Sequence, residues 1–370
     1  MIIGIDASRA NQQSKTGTEW YSYILLKKFA ELDKENRYNL FVENPPLEVF
    51  FNIGKNFKVK VLRWPLGRFW HQGRISLEIM FNKIDVLFVP AHTIPLVHPR
   101  NTVTTCHDIG FEKYPELYSP SELRYHRWAM RFAVKHARKI ITVSQFSKQE
   151  ILNAYQANAD QIKVIHHGVD TEFYCKRDDS VVDQVLNKLG INKPYLFFIG
   201  RIEKKKNIIN QIKAFNLLKQ KYQVAHQLIF GGNFGFGIDE IKEEIEASPF
   251  KDEIKLIGYV ETTDLPVLYS AADIFWFITN YEGFGMPILE AQACKTPVVA
   301  SNICSIPEIG GRGVALVNPS NIEEIAEVSY SVLTDASQQQ ELVQAGLNNI
   351  QRFDWLNTAQ ETLNLILDRE

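Results

Sequence analysis

The chain has 370 residues, 45% hydrophobic and 23% charged, an ordinary globular composition too long for one comfortable core, so two domains are expected. No uninterrupted apolar run is long enough to span a bilayer as a helix, and the strand-like opening MIIGID follows no basic-then-apolar leader, so neither a membrane span nor a secretion signal is expected. The net charge of −2 hides an asymmetry: residues 1–170 carry 23 Lys and Arg against 16 Asp and Glu, a net of +7, leaving 18 against 27, a net of −9, for residues 171–370.

In chain order, IIGID (2–6) reads as a buried strand. A polar loop follows, and Thr16-Gly17-Thr18 opens a helix running to about Leu32. YNLFV (38–42) and VKVL (59–62) read as strands, Arg68–Lys83 as a helix, and DVLFVP (85–90) and TVTTCHD (102–108) as strands. Pro120–Arg138 reads as a long helix, KIITVS (139–144) as a strand, and Gln145–Tyr155 as a helix. Ser144 could end that strand or cap the helix, and Ser147 is the stronger cap candidate. IKVIHHGVD (162–170) closes the first set. Within the long helix, six of the sixteen residues Arg124–Lys139 are Lys or Arg, and Tyr125, Trp128 and Phe132 recur at helical spacing. Such a helix fits an anionic membrane surface, and equally a domain helix with one buried aromatic stripe and a solvated basic face. Nucleic acid is disfavoured, since the pI is about 6.5 and no nucleic-acid motif occurs.

Strand–helix alternation then begins again. YLFFIG (195–200), HQLIFGG (226–232), IKLIGYV (254–260), DIFWFI (273–278), TPVVAS (296–301) and GVALVN (313–318) are the strands. Helices follow at roughly 320–333, 337–350 and Trp355–Leu367. Alternation of this kind makes βαβ units and largely parallel sheets. The expectation is an α/β protein of two facing Rossmann-like domains with a central cleft. Residues 1–172 would form the first domain and 190–354 the second, with 173–189 a polar linker and the closing helix, 355–370, crossing back onto the first domain. The four cysteines, Cys106, Cys175, Cys294 and Cys304, show no CxxC or Cys/His ligand spacing, which points to a reduced cytosolic protein without structural zinc.

Ligands of such sheets collect at the carboxyl ends of the strands. In the first half that is where Gly17, His92, His107, Asp108 and Ser144 fall. His107 can hydrogen-bond a sugar hydroxyl, with Asp108 orienting it or binding an acceptor; a satisfied structural pair is the plain alternative. His166 and His167 read as structural, since no third ligand at metal spacing accompanies them. In the second half, YLFFIG runs into Arg201, Lys204, Lys205, Lys206 and Asn207 ahead of a helix, a cationic clamp for a phosphate. Then comes YEGFGMPILEA (Tyr281–Ala291). Gly283 and Gly285 let backbone N–H groups approach a ligand, Pro287 suits a first helical turn, and Glu282 and Glu290 stand about two turns apart. Alone, that stretch could be a Gly-rich turn with solvated glutamates.

The ordered set is more specific than any of its pieces. YEGFGMPILE resembles the E-x7-E motif of family 4 retaining glycosyltransferases of the GT-B architecture. The N-terminal Gly loop, HD, ITVSQFSKQEI, VIHHGVDTEFY, GR-x4-KN, GYV with LYSAAD, TPVVAS and FDWLNTA follow in that family's order over nearly the whole chain. The resemblance implies a donor diphosphate held by Arg201 and Lys206 and ribose hydroxyls held by Glu290. It implies a sugar ring held by Glu282 with the turn Gly283, Phe284, Gly285, Met286 and Pro287, and a base passing Val260. Gly17 would approach the phosphate and acceptor, His107 would contact the donor sugar, and Asp108 and Ser144 would lie on the acceptor side. Where many relatives carry Gly-x-Gly, this chain has Thr16-Gly17-Thr18, so one close backbone approach is implied rather than two.

The implied reaction is metal-independent transfer of a hexosyl unit from a nucleotide sugar, with retention, along a front-face path in which the departing phosphate takes the acceptor proton. Arg201, Lys206, Glu282 and His107 would form its catalytic set. GDP-mannose is the expected donor, with UDP-glucose or UDP-N-acetylglucosamine behind. The expected acceptor is a saccharide or lipid-linked saccharide at the inner membrane face, with peripheral contact through 124–139. A nucleotide-sugar epimerase and a non-catalytic sugar-nucleotide-binding protein are the competing readings.

Overall fold

Short runs of β-branched, aromatic and leucine residues form two wholly parallel sheets. A computed structural model describes residues 1–65 and 69–369. The first sheet holds β1 (Ile2–Asp6), β2 (Arg37–Val42), β3 (Phe57–Val61), β4 (Val86–Val89), β5 (Thr102–Cys106), β6 (Lys139–Thr142) and β7 (Ile162–Val164), in the order β3-β2-β1-β4-β5-β6-β7. The second holds β8 (Tyr195–Ile199), β9 (Gln227–Gly231), β10 (Ile254–Gly258), β11 (Ile274–Phe277), β12 (Val298–Ser301) and β13 (Ala315–Val317), in the order β10-β9-β8-β11-β12-β13. Strands β4, β5, β11 and β12 are buried at every residue, as strands covered on both faces must be. Strand order reverses between β1 and β4 in one sheet and between β8 and β11 in the other, the place where doubly wound sheets bind ligands.

Each sheet belongs to its own unit. One unit comprises Met1–Gly168 with the segment from Phe353 onward, the other Val169–Arg352. The helix Trp355–Leu367 seals the first unit: Trp355, Ala359, Leu363, Leu365 and Ile366 are buried, and the Thr358 hydroxyl donates to the His166 carbonyl at 2.8 Å. A Cβ at Gly168 would come within 2.2 Å of the Trp355 nitrogen, so only glycine lets the chain pass there.

Several boundaries differ from the sequence reading. Of residues 173–189, expected as a linker, Asp179–Leu189 form a helix in the second unit. Val182 and Leu186, one turn apart, enter its core, and Gly190 at φ +65° ends it. The helix expected over Arg68–Lys83 begins at a residue outside the described ones. Its described part is a π turn, His71–Ile75, leading into the helix Ser76–Phe81. Strand β7 stops at Val164 and β5 at Cys106, which leaves His107 and Asp108 just past the strand end.

Candidate active site

In the second unit the loops leaving β8 and β11 lie side by side because their strands pair. The β8 loop ends in a single 3-10 turn, Lys204–Lys206. Asn207 at φ +58°, its amide bonded to the Pro319 carbonyl at 2.7 Å, then turns the chain into the helix Ile208–Tyr222. Lys206 is thereby presented to the β11 loop, where its ammonium donates to a carboxylate oxygen of Glu282 and lies 5.6 Å from the Phe277 ring centroid. Both side chains are mostly covered, 13% and 22% exposed, so the pair attracts more strongly than it would in bulk water. Arg201 differs. Its side chain is 66% exposed and its Nε sits 3.5 Å from the Glu203 carboxylate. The expected clamp is therefore one fixed ammonium and one solvent-facing guanidinium.

The β11 loop ends where Gly285, at φ +102°, precedes the helix Met286–Ala293, with Pro287 in the first turn. Three contacts that the sequence reading missed hold this loop. The Ser301 hydroxyl donates to the Thr279 carbonyl at 2.7 Å, and the backbone carbonyl of Lys205 accepts from the Asn280 N–H at 3.1 Å. The buried Ser305 hydroxyl lies 2.9 Å from the Glu282 carbonyl and 3.0 Å from that of Phe284, sharing its proton between them.

Glu290 falls in the second turn of the same helix and is gripped by two phenols that also escaped the sequence reading. Tyr269 donates to its carboxylate at 2.7 Å, and Tyr174 is a second donor. Desolvation raises the Glu290 pKa to about 7, the phenol hydrogen bonds pulling the other way. Val260 is buried just beyond β10, while its neighbour Tyr259 is exposed.

The first unit carries its own cluster at the strand ends. His107 donates Nε2–H to the Pro90 carbonyl at 3.1 Å, and its ring stands edge-on to buried Tyr21 at 4.8 Å and 5.4 Å from the His167 ring. Burial pushes its pKa below the ordinary imidazole value, so the ring is neutral at physiological pH and Nδ1 holds the free lone pair. Asp108 accepts from the Gly110 N–H at 2.7 Å and so starts the short helix Gly110–Lys113. Gly17 is the first residue of the helix Gly17–Leu32, behind a capping box of Thr16 and Glu19, and a Cβ there would meet nothing within 4 Å. His92 lies 3.3 Å from His126, with burial pushing its pKa down to about 3.

Ser144 requires correction. It is fully buried and accepts from the Ser147 N–H at 3.0 Å, so it is the helix cap, the part expected of Ser147, and presents no surface to an acceptor. Both serines suit a cap locally; where β6 ends decides between them.

Two family models match: Glycosyltransferase Family 4 over residues 17–173 and Glycosyl transferases group 1 over residues 182–349. The chain is 33% identical to the O-antigen chain mannosyltransferase B of Escherichia coli over 94% of its own length and 95% of that protein's. The chain belongs to the family 4 glycosyltransferases. This glycosyltransferase is also 25% identical, over 86% of its length and 82% of the relative's, to the O-antigen chain mannosyltransferase RfbU of Salmonella typhimurium. Its fold is that of HepE from Anabaena, solved with UDP-glucose: the TM-score is 0.76 with 20% identity, over 99% of each chain. The group 1 match contains Arg201, Lys206, Glu282 and Glu290, and the other contains Gly17, His107 and Asp108.

Proposed function

We propose that this glycosyltransferase moves mannose from GDP-mannose, with retention, to a saccharide or lipid-linked saccharide acceptor in surface-polysaccharide assembly. The observation that carries the chemistry is the Lys206–Glu282 pair where the second sheet's strand order reverses. It sets a cation for a departing diphosphate beside a carboxylate for the sugar. The two O-antigen mannosyltransferase relatives support mannose, and the UDP-glucose complex of HepE supports a nucleotide sugar as donor.

In this reading Lys206, Arg201 and the helix N-terminus at Met286 take up the negative charge that grows on the diphosphate, work that needs no metal ion. Glu282 orients the sugar and stabilises positive charge at its anomeric carbon. The leaving phosphate accepts the acceptor's proton on the face it departs from. Glu290 holds the ribose hydroxyls, Val260 borders the base, and His107 accepts a hydrogen bond from a sugar hydroxyl at Nδ1. Asp108 serves the acceptor, and the basic helix including residues 124–136 rests on the cytoplasmic membrane face.

The test is nucleotide release from GDP-mannose, UDP-glucose, UDP-N-acetylglucosamine and ADP-glucose, with and without lipid extract, with the anomer of the product read by NMR. GDP release stimulated by extract, unchanged by EDTA and lowered about a hundredfold by Lys206→Ala, is the expected result. Isomerisation of a donor without acceptor would establish an epimerase instead.

A further inference from the structure

The helix Ser76–Phe81 in the first unit is covered on one side, where Ile79 is buried, yet Leu77, Met80 and Phe81 on the other are open to solvent. Their i, i+3, i+4 spacing puts all three on one face. Exposure is 42% at Leu77, 57% at Met80 and 80% at Phe81, far more than an apolar face keeps without a partner. The patch does not end with the helix. The Ser76 hydroxyl accepts from the Val97 N–H at 3.0 Å, which brings exposed Leu96 and Val97 alongside. The neighbouring His98 ring stands edge-on to Phe132 at 6.0 Å, and Phe132 stacks on exposed Trp128 at 5.4 Å. Arg124 and Arg131, one turn either side of Trp128, are both exposed, as are Lys83 and Lys135. Of the carboxylates nearby, Glu78 pairs with Lys60 at 2.9 Å and Arg74 at 3.2 Å, Glu112 pairs with Arg127 at 2.8 Å, and Glu122 caps its own helix by accepting from Ser119.

An apolar face bordered by exposed cations matches the interfacial zone of an anionic bilayer, where apolar side chains enter the acyl boundary and cations meet lipid phosphates. A second copy of the chain fits less well, because a two-fold contact would bring the same rim of cations, Arg124 and Arg131 among them, to both sides of one interface. We infer that Leu77, Met80 and Phe81, with Leu96, Val97 and Trp128, insert into an anionic membrane surface. The basic helix then supplies the electrostatic rim rather than the main contact. This rests on the membrane reading of residues 124–136 and adds the segment that penetrates.

Co-sedimentation with phosphatidylglycerol–phosphatidylcholine vesicles at rising salt, with light scattering of the free protein, tests it. Wild-type protein should bind, and retain part of its binding at high salt. Met80→Ser/Phe81→Ser should weaken binding about tenfold at every salt concentration without changing thermal unfolding. Arg124→Glu/Arg131→Glu should remove chiefly the salt-sensitive part. If the charge reversal abolishes binding while Met80→Ser/Phe81→Ser binds as wild type, insertion is overturned and the basic-helix reading stands. If wild-type protein does not bind vesicles, both fall. A dimer in light scattering that Phe81→Ser dissolves would assign the face to a second copy.

Discussion

Glu290 shows how a residue acquires a property that its position in a motif does not reveal. Its carboxyl is stripped of water, which raises its pKa to about 7, and Tyr269 and Tyr174 favour the ionised form. Ribose hydroxyls donate best to a carboxylate, so donor affinity should rise as pH increases through about 7. The KM for the donor, measured from pH 6 to 8, should fall across that range. Tyr269→Phe removes a bond that lowers the pKa, so the inflection should move to higher pH while kcat on the alkaline side is retained. Stability has the opposite sign. The folded state binds the proton more tightly than the unfolded chain, so this group's contribution declines between the ordinary glutamate pKa and about 7. Gly17 permits a cleaner experiment, because a Cβ there meets open space in a helical first turn. Gly17→Ala should leave the unfolding temperature unchanged yet lower turnover severalfold, if a ligand passes close to that backbone. Normal turnover would remove Gly17 from the site.

Among the elements, the β11 loop is held in place by the loop after β12. Ser305→Ala would leave the carbonyls of Glu282 and Phe284 without their shared donor, a loss of about 1–3 kcal/mol. Urea unfolding should register that loss, and turnover should fall as Glu282 loses its fixed backbone, with donor KM changing less than kcat. The same loop shows what the sequence could and could not convey. Buried parallel strands are continuous apolar runs, so IIGID, YLFFIG and DIFWFI were legible with their βαβ order, and the two glutamates stand in one local motif. Ser305 and Tyr269 were not. They reach Glu282 and Glu290 across 23 and 21 residues, through strand and helix neighbours that only the folded sheet defines. The helix Asp179–Leu189 was overlooked for another reason: Val182, Val185, Leu186 and Leu189 do recur at helical spacing and pack on the second unit's core, but the polar residues on either side of them read as a linker.

For the molecule as a whole, the two units depend differently on chain continuity. Val169–Arg352 is one uninterrupted stretch with its own sheet and core, whereas the first unit needs the segment from Phe353 onward. Without the helix Trp355–Leu367, the first unit would lose the burial of Trp355, Leu363, Leu365 and Ile366. At about 1.5–3 kcal/mol each, that rivals the full stability of an ordinary domain. A fragment of residues 169–352 should therefore show a cooperative thermal transition by circular dichroism. A chain stopped after Arg352 should show that transition with the first unit unfolded, its Tyr21 and His107 amides exchanging freely with deuterium.

The Gly168–Trp355 contact carries this into time. In sequence the two residues bracket the entire second unit, so the first unit, although it emerges first from the ribosome, cannot finish folding until the second has been synthesised. Through that interval its sheet stands without the closing helix, Tyr21 and His167 lacking the indole they pack against. The second unit meanwhile has everything it needs. The part of the chain made later folds earlier, and the nascent first unit is where a chaperone would be required.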